Sequence, residues 1–247
     1  MRLTDFKVLT FDCYGTLIDW ESGIFTALQP LLSKAATPSA RRAAPPLDRK
    51  AALEVFARHE SAQQAETPGM VYPDLLAEVH RRLADELGLP ASAEEHRRFG
   101  ASVPAWPEFA DSAASLQYLK RHYQLVILSN VDRESFKASN TRLAVDFDAI
   151  YTAQDVGSYK PDLANFDYML GHLAASGVAP GTILHTAQSL FHDHGPAKQR
   201  HLASAWIDRR HDQDGWGATI PAPGRAFDFR FTSMAEMVEA HRAELLA

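Results

Sequence analysis

Cysteine is almost absent from the 247-residue chain, where Cys13 stands alone. No disulfide within the chain can therefore hold the fold, and the composition suits a reducing compartment. No apolar run approaches the roughly 20 residues that a helix needs to cross a bilayer. Positive charge is not in excess either: Lys and Arg number 25 against 31 Asp and Glu, a net charge of -6. That balance removes the electrostatic footprint of a nucleic-acid-binding surface. The chain has no internal repeat and no low-complexity tail, and its first residues enter an apolar segment without room for a basic stretch and a signal core. The expectation is a cytoplasmic protein whose partners include neither nucleic acid nor membrane.

What the chain does have is 46% hydrophobic residues, enough for a sizeable core and suited to one α/β domain carrying an insertion. The stretch that organises the rest is Lys7 to Asp19. Apolar and β-forming residues from Val8 to Phe11 stop abruptly at Asp-Cys-Tyr-Gly-Thr, the pattern of a buried parallel strand ending in a turn that Gly15 makes possible. Asp12 then stands at the carboxyl end of a strand, where open α/β sheets collect their ligands. An aspartate after a strand also caps turns and helices, so this motif alone decides little.

Further along, the periodicity predicts a helix from Asp19 to about Gln29 that Pro30 should end or kink, and a loop from Ala35 to Pro46. Three more helices follow, over about Asp48 to Ala65, Tyr72 to Leu87 and Ser92 to Phe99. From Trp106 helices and strands alternate, as in a parallel sheet. Helices are expected at Asp111–His122, Arg133–Leu143, Leu163–Ala175 and Pro196–Leu202, and strands at Leu125–Leu128, Ala149–Thr152, Thr182–Thr186 and Ser204–Ile207. A long Gly- and Pro-punctuated loop spans His211 to Ala226, before an edge strand over Phe227–Phe231 and a closing helix over Met234–Leu246.

Three later stretches change the weight of Asp12. Val126 to Asn130 is an apolar strand ending in Ser129 and Asn130, Lys160 precedes Pro161, and Ile183 to Ala187 leads to His192-Asp193-His194. In this order the four stretches resemble the signature motifs of the haloacid dehalogenase superfamily: nucleophilic aspartate, serine or threonine, lysine, acid. Phosphatase members of that superfamily resemble DxDGT, with a second aspartate that protonates the leaving group. Tyr14 holds that place here, and a phenol of pKa about 10 is a poor substitute for a carboxylic acid. A departing halide needs no proton. The run through Asp19 is similar to the DxYGTLxD motif of the type II L-2-haloacid dehalogenases.

The resemblance implies a parallel Rossmann-like sheet flanked by helices, formed by residues 1–16 and 105–247, with an inserted all-helical cap over 17–104. It implies hydrolysis of a short, anionic 2-haloalkanoic acid to the 2-hydroxy acid, with inversion, through an ester on Asp12 that water then cleaves, as in an (S)-2-haloacid dehalogenase. No metal or organic cofactor is expected, and a homodimer is. Thr16, Lys160 and Asp193 are the other expected catalytic residues. The backbone amides of Cys13 and Tyr14 together with Ser129 are expected to hold the substrate carboxylate, and Asn130 the halide. Family members carry a halide-binding arginine on a cap helix; Arg49, four residues ahead of Leu53-Glu54, is the first candidate for it and Arg58 the second. The chain departs from the family where Phe166 replaces a tyrosine and where Leu190 stands in place of an amide ahead of Asp193, leaving Gln188 and Ser189 as possible substitutes. A Mg²⁺-dependent phosphatase of the same fold and a non-catalytic binding module are the alternatives.

Overall fold

The computed structural model describes every residue except 37–46, 216, 223 and 225. The sheet is built from six strands: β1 (Val8–Phe11), β2 (Gln124–Ser129), β3 (Ala149–Thr152), β4 (Ile183–Ala187), β5 (Ala203–Ile207) and β6 (Phe229–Phe231). Every pairing is parallel, in the order β3-β2-β1-β4-β5-β6. β1 is thus central, with β2 on one side and β4 on the other. All four of its residues are buried, because alternate side chains enter opposite faces of the sheet and both faces are covered. Val8 joins Val126, Leu128, Phe166 and Met169 in one core. Leu9 and Phe11 join Leu125, Ile127 and Leu184 in the other, which continues into the helices inserted after β1.

Those helices are α1 (Trp20–Leu32), α2 (Arg49–Glu66), α3 (Tyr72–Glu86) and α4 (Ala93–Gly100). Asp19, Asp48 and Ser92 cap α1, α2 and α4 by accepting from Ser22 N, Ala51 N and Glu95 N, satisfying amides that the first turn leaves free. α1 runs past Pro30 instead of stopping there. The proline sits in the last turn, where one missing N–H costs a single hydrogen bond while Leu28 and Leu31 stay buried. At Gly23 a Cβ would meet the Trp106 ring at 2.3 Å, so only glycine lets α1 approach that indole.

The remaining helices are α5 (Ser112–Leu119), α6 (Arg133–Leu143), α7 (Ala153–Val156), α8 (Leu163–Ala175), α9 (Gly195–Gln199) and α10 (Met234–Leu246), with a π-helical turn at Leu190–His194 between β4 and α9. α7 and the π turn have no counterpart in the periodicity; both are too short to show one. α5 is shorter than expected, ending at Leu119, and β6 begins at Phe229. The expected loop over 35–46 falls mostly outside the described residues, as do positions 216, 223 and 225 of the loop expected over 211–226. Among the described residues no helix is long and apolar enough to cross a membrane.

Candidate active site

Asp12 lies just past the end of β1, its N–H bonded to Thr186 O on β4. Gly15, at φ +94°, then turns the chain, and a Cβ there would come within 2.9 Å of Trp20 Nε1. The turn brings Thr16 back over the strand tip. Thr16 Oγ1 donates to Asp12 Oδ2 at 2.9 Å and accepts the Gln188 N–H at 2.9 Å, so the direction of the hydroxyl is fixed. Arg209 holds this loop from behind, donating twice to Thr16 O while its guanidinium lies 4.1 Å from the Phe109 ring centroid.

Lys160 reaches the same carboxylate from the segment after α7. Its Nζ donates to Asp12 Oδ1 at 2.9 Å, to Asp193 Oδ1 at 2.7 Å and to Leu128 O at 2.8 Å, which uses all three ammonium protons. The side chain is 1% exposed. Asn130 fixes the backbone that carries it: Lys160 N donates to Asn130 Oδ1 at 2.7 Å, and Asn130 Nδ2 donates to Lys160 O at 3.0 Å. One N–H of Asn130 is left over, and the residue lines the cavity above Asp12.

Asp193, on the π turn, has a second partner that the sequence did not reveal. His185 Nε2 lies 3.0 Å from Asp193 Oδ1, and His185 Nδ1 lies 2.8 Å from Thr10 Oγ1. Thr10 and His185 are register partners on β1 and β4, so their side chains stand on one face of the sheet. A carboxylate only accepts, and Nε2 therefore carries a proton. Thr10, His185, Asp193, Lys160 and Asp12 form a buried line in which Asp193 Oδ2 has no hydrogen-bond partner.

These contacts set the charges. Burial opposes the ionisation of Asp193, but Lys160 and His185 overcome it and hold the carboxyl below the ordinary range. Burial raises the Asp12 carboxyl, and Asp193 adds to this while Lys160 and Thr16 pull it down. Burial also works against the Lys160 ammonium, yet the two aspartates keep it above the usual lysine value.

Tyr14 holds the place where phosphatase members have an acid, and its hydroxyl is turned away. It lies 2.7 Å from Ser139 Oγ and donates to Ser135 O at 3.2 Å, both on α6, while its ring packs edge-on against Trp106. Burial pushes the phenol well above its ordinary value. Cys13 is fully buried and its carbonyl accepts from Leu17 N and Ile18 N. Ser129 is buried at the end of β2 with its Oγ unpartnered.

The cavity above Asp12 is about 40 Å³, room for roughly three waters at 10–15 Å³ each. Asp12, Asn130, Lys160 and Asp193 form its floor, and Gln188, Ser189 and His192 one wall. The opposite wall comes from the inserted helices: Trp20 of α1, Glu60 and Gln64 of α2, and Tyr72 of α3. Phe56, Phe99 and Trp106 are core residues and do not line it. Neither arginine lines it. Arg49 donates to Ser22 Oγ at 3.0 Å and borders a separate depression of about 170 Å³. Arg58 forms two hydrogen bonds with Glu86 at the surface. A period of 3.6 residues explains Arg58, which lies half a turn away from the inward face shared by Phe56, Glu60 and Gln64; Arg49 falls on that face but stands at the first residue of α2, about 16 Å along the axis from Glu60.

Glu60 is the residue that the motifs concealed. It is 4% exposed, its Oε1 accepts from Tyr72 OH at 2.7 Å, and burial pushes its carboxyl up to about 7 against the pull of that bond. The only signal in the sequence was a glutamate on the same helix face as Ala52, Leu53 and Phe56.

The ammonium of Lys160 occupies one oxygen of each aspartate, and among the described residues no group of three His, Cys, Asp or Glu side chains could hold a metal ion.

The pattern of the haloacid dehalogenase-like hydrolases matches residues 6–186. The chain belongs to this family. Solved structures of the same fold include the L-2-haloacid dehalogenase from Xanthobacter autotrophicus with chloropropionic acid covalently bound, at 17% identity and TM-score 0.74, covering 96% of this chain and 98% of that one. A defluorinating L-2-haloacid dehalogenase is 19% identical at TM-score 0.74, with 96% and 95% covered. A putative hydrolase of the family from Bacillus subtilis, bound to magnesium, is 14% identical at TM-score 0.71, with 98% and 100% covered. No curated protein sequence matches this hydrolase.

Proposed function

We propose that this hydrolase cleaves the carbon–halogen bond of a short 2-haloalkanoic acid, giving the 2-hydroxy acid and halide. The observation that carries the reading is a paired, buried aspartate whose neighbour two residues on is a phenol tied to Ser139 and Ser135. Such a site supplies a nucleophile and no acid two residues on, where phosphatase members keep their proton donor, which suits a leaving group that departs as an anion.

In this reading Asp12 attacks the halogen-bearing carbon through the oxygen facing the cavity, the C–X pair leaves with the halide, and an ester remains on Asp12. Lys160 and Thr16 hold the carboxylate in one orientation and keep it ionised. Asp193, already ionised and with Oδ2 free, accepts a proton from the water that attacks the ester carbonyl. The amides of Cys13 and Tyr14, with Ser129, hold the substrate carboxylate, and the spare N–H of Asn130 is turned to the halide. The helices of residues 17–104 act as a cap that keeps bulk water from the nucleophile and strengthens each charge interaction beneath it.

The test is halide release from chloro-, bromo- and fluoroacetate and from 2-chloropropionate, followed by one turnover in ¹⁸O-labelled water. Label is expected in the Asp12 peptide before it reaches product. Release of phosphate from p-nitrophenyl phosphate with added Mg²⁺, and of halide from none of the acids, would replace this reading with the phosphatase one.

A further inference from the structure

The cap wall of the cavity holds no cation among the described residues; its polar groups are Glu60, Gln64 and Tyr72. A carboxylate there would face Asp12 and an anionic substrate across a cavity of about 40 Å³ without a counter-charge. The hydrogen bond from Tyr72 OH to Glu60 Oε1 leaves Oε2 as the oxygen free to carry a proton. We infer that Glu60 presents a protonated carboxyl to the leaving atom of the substrate, giving the departing halide a hydrogen bond from a neutral donor on the cap. The inference rests on the dehalogenase reading above. In the step itself Asp12 forms the C–O bond, the C–X electron pair goes to the halide, and Glu60 keeps its proton while hydrogen-bonding the anion. After halide leaves, Glu60 is unchanged, so it needs no reprotonation to start the next cycle.

The arrangement has a recognisable pH signature. Burial places the Glu60 carboxyl at about 7, so the donor is present below neutrality and is replaced by a repelling anion above it. The groups that face it from other elements titrate elsewhere. Tyr72 on α3, Tyr14 after β1 and Tyr159 ahead of Lys160 are all raised by burial from a phenol's already high value. His192 is pulled down by burial to about 4, Asp193 stays below the ordinary carboxylate range and Lys160 above the lysine one. Asp12 is raised, but it works as the anion and so produces the opposite, acidic limb.

The experiment records kcat/KM for chloroacetate, and in parallel the saturable quenching of tryptophan fluorescence by sodium bromide, from pH 5.5 to 9. For the wild-type chain both are expected to fall about tenfold per pH unit above a midpoint near 7. Glu60→Gln should lose that alkaline limb in both. Tyr72→Phe, which removes the bond that favours the ionised carboxyl, should keep the limb and move it to higher pH. Glu60→Ala should lower kcat/KM at pH 6 by about tenfold to a hundredfold, the scale of a hydrogen bond to a charged group. An alkaline limb that persists unchanged in Glu60→Gln, or full kcat/KM in Glu60→Ala, overturns the inference while leaving the dehalogenase reading intact. If the wild-type chain releases no halide, that reading falls, and bromide alone decides: a limb that depends on Glu60 supports a protonated carboxyl at an anion site, and its absence overturns it.

Discussion

The two halves of the cavity are built on different principles. Its floor is charged, with Lys160 Nζ within 3 Å of both Asp12 and Asp193, and each group is fixed by the backbone at a strand tip or by a neighbour that is. Its roof is uncharged below neutrality and hangs on helices, with one buried acid held by one tyrosine. In the proposed reaction the floor supplies the charge, and the roof is the wall that faces the substrate. Perturbing the floor should abolish chemistry and fold stability together, whereas perturbing the roof should change pH dependence and selectivity.

The largest effect is expected at Asp12, the proposed nucleophile. Asp12→Asn keeps the shape and removes the attacking charge, and halide release should fall about 10⁴-fold or more. Next is Lys160→Met, which leaves two carboxylates buried without their cation. Breaking a buried pair costs about 3–5 kcal/mol, and urea unfolding at pH 7 should show a loss of that size. The sign of its pH dependence follows from Asp193, whose folded pKa is depressed by Lys160 and His185 against burial. The stability it contributes is present above the unfolded carboxylate value of about 4 and lost as pH falls below it. The gap between Lys160→Met and the wild type should therefore narrow toward pH 4 and below.

The roof gives the opposite sign. The folded pKa of Glu60 is raised to about 7 from 4.5, so its favourable contribution is complete below about 4.5 and is lost as pH rises through 7. At pH 8 the buried acid costs the fold about 3 kcal/mol. Glu60→Gln should be more stable than the wild type at pH 8 and equal to it near pH 4.5, read from thermal or urea unfolding at the two pH values. No gain at pH 8 would mean that the acid is already paired when ionised, and would draw the roof closer in character to the floor.

The same division explains what was legible in the sequence. The floor could be read because β1, β2 and β4 are neighbours in a parallel sheet, so residues that follow each apolar run, Asp12, Asn130 and the Gln188–Asp193 segment, end at one edge. Chain order alone brings them together. His185 was hidden because it lies inside a strand, where a histidine among apolar residues carries no mark of its partner; pairing it with Thr10 and Asp193 requires the register of β1 against β4. Arg209 was hidden because its partner Thr16 is nearly 200 positions away. The roof could not be read by motif because cap position depends on the rotation of α2. There the spacing of Phe56 and Glu60 puts the acid on the buried face, while Arg49 drew attention by standing four residues ahead of Leu53-Glu54 and Arg58 by lying further along the same helix. The fold followed more fully, since strand ends coincide with changes of composition; Pro30 misled because a helix tolerates proline in its last turn.

The smallest effect sharpens the contrast between the halves. Arg58 carries a full charge on the same helix as Glu60, two residues away in sequence, yet its guanidinium binds Glu86 and its side chain is 57% exposed. An exposed pair of this kind contributes about 0.2–1 kcal/mol, and a charge in solvent beyond the cap wall is screened within about 10 Å at 0.1 M salt. Arg58→Ala should therefore shift the urea midpoint slightly and change kcat/KM for chloroacetate less than twofold, with no change in the alkaline limb. A tenfold loss of kcat/KM would mean that α2 rotates when substrate enters, carrying the arginine inward and Glu60 out, and the roof would then be cationic during the reaction.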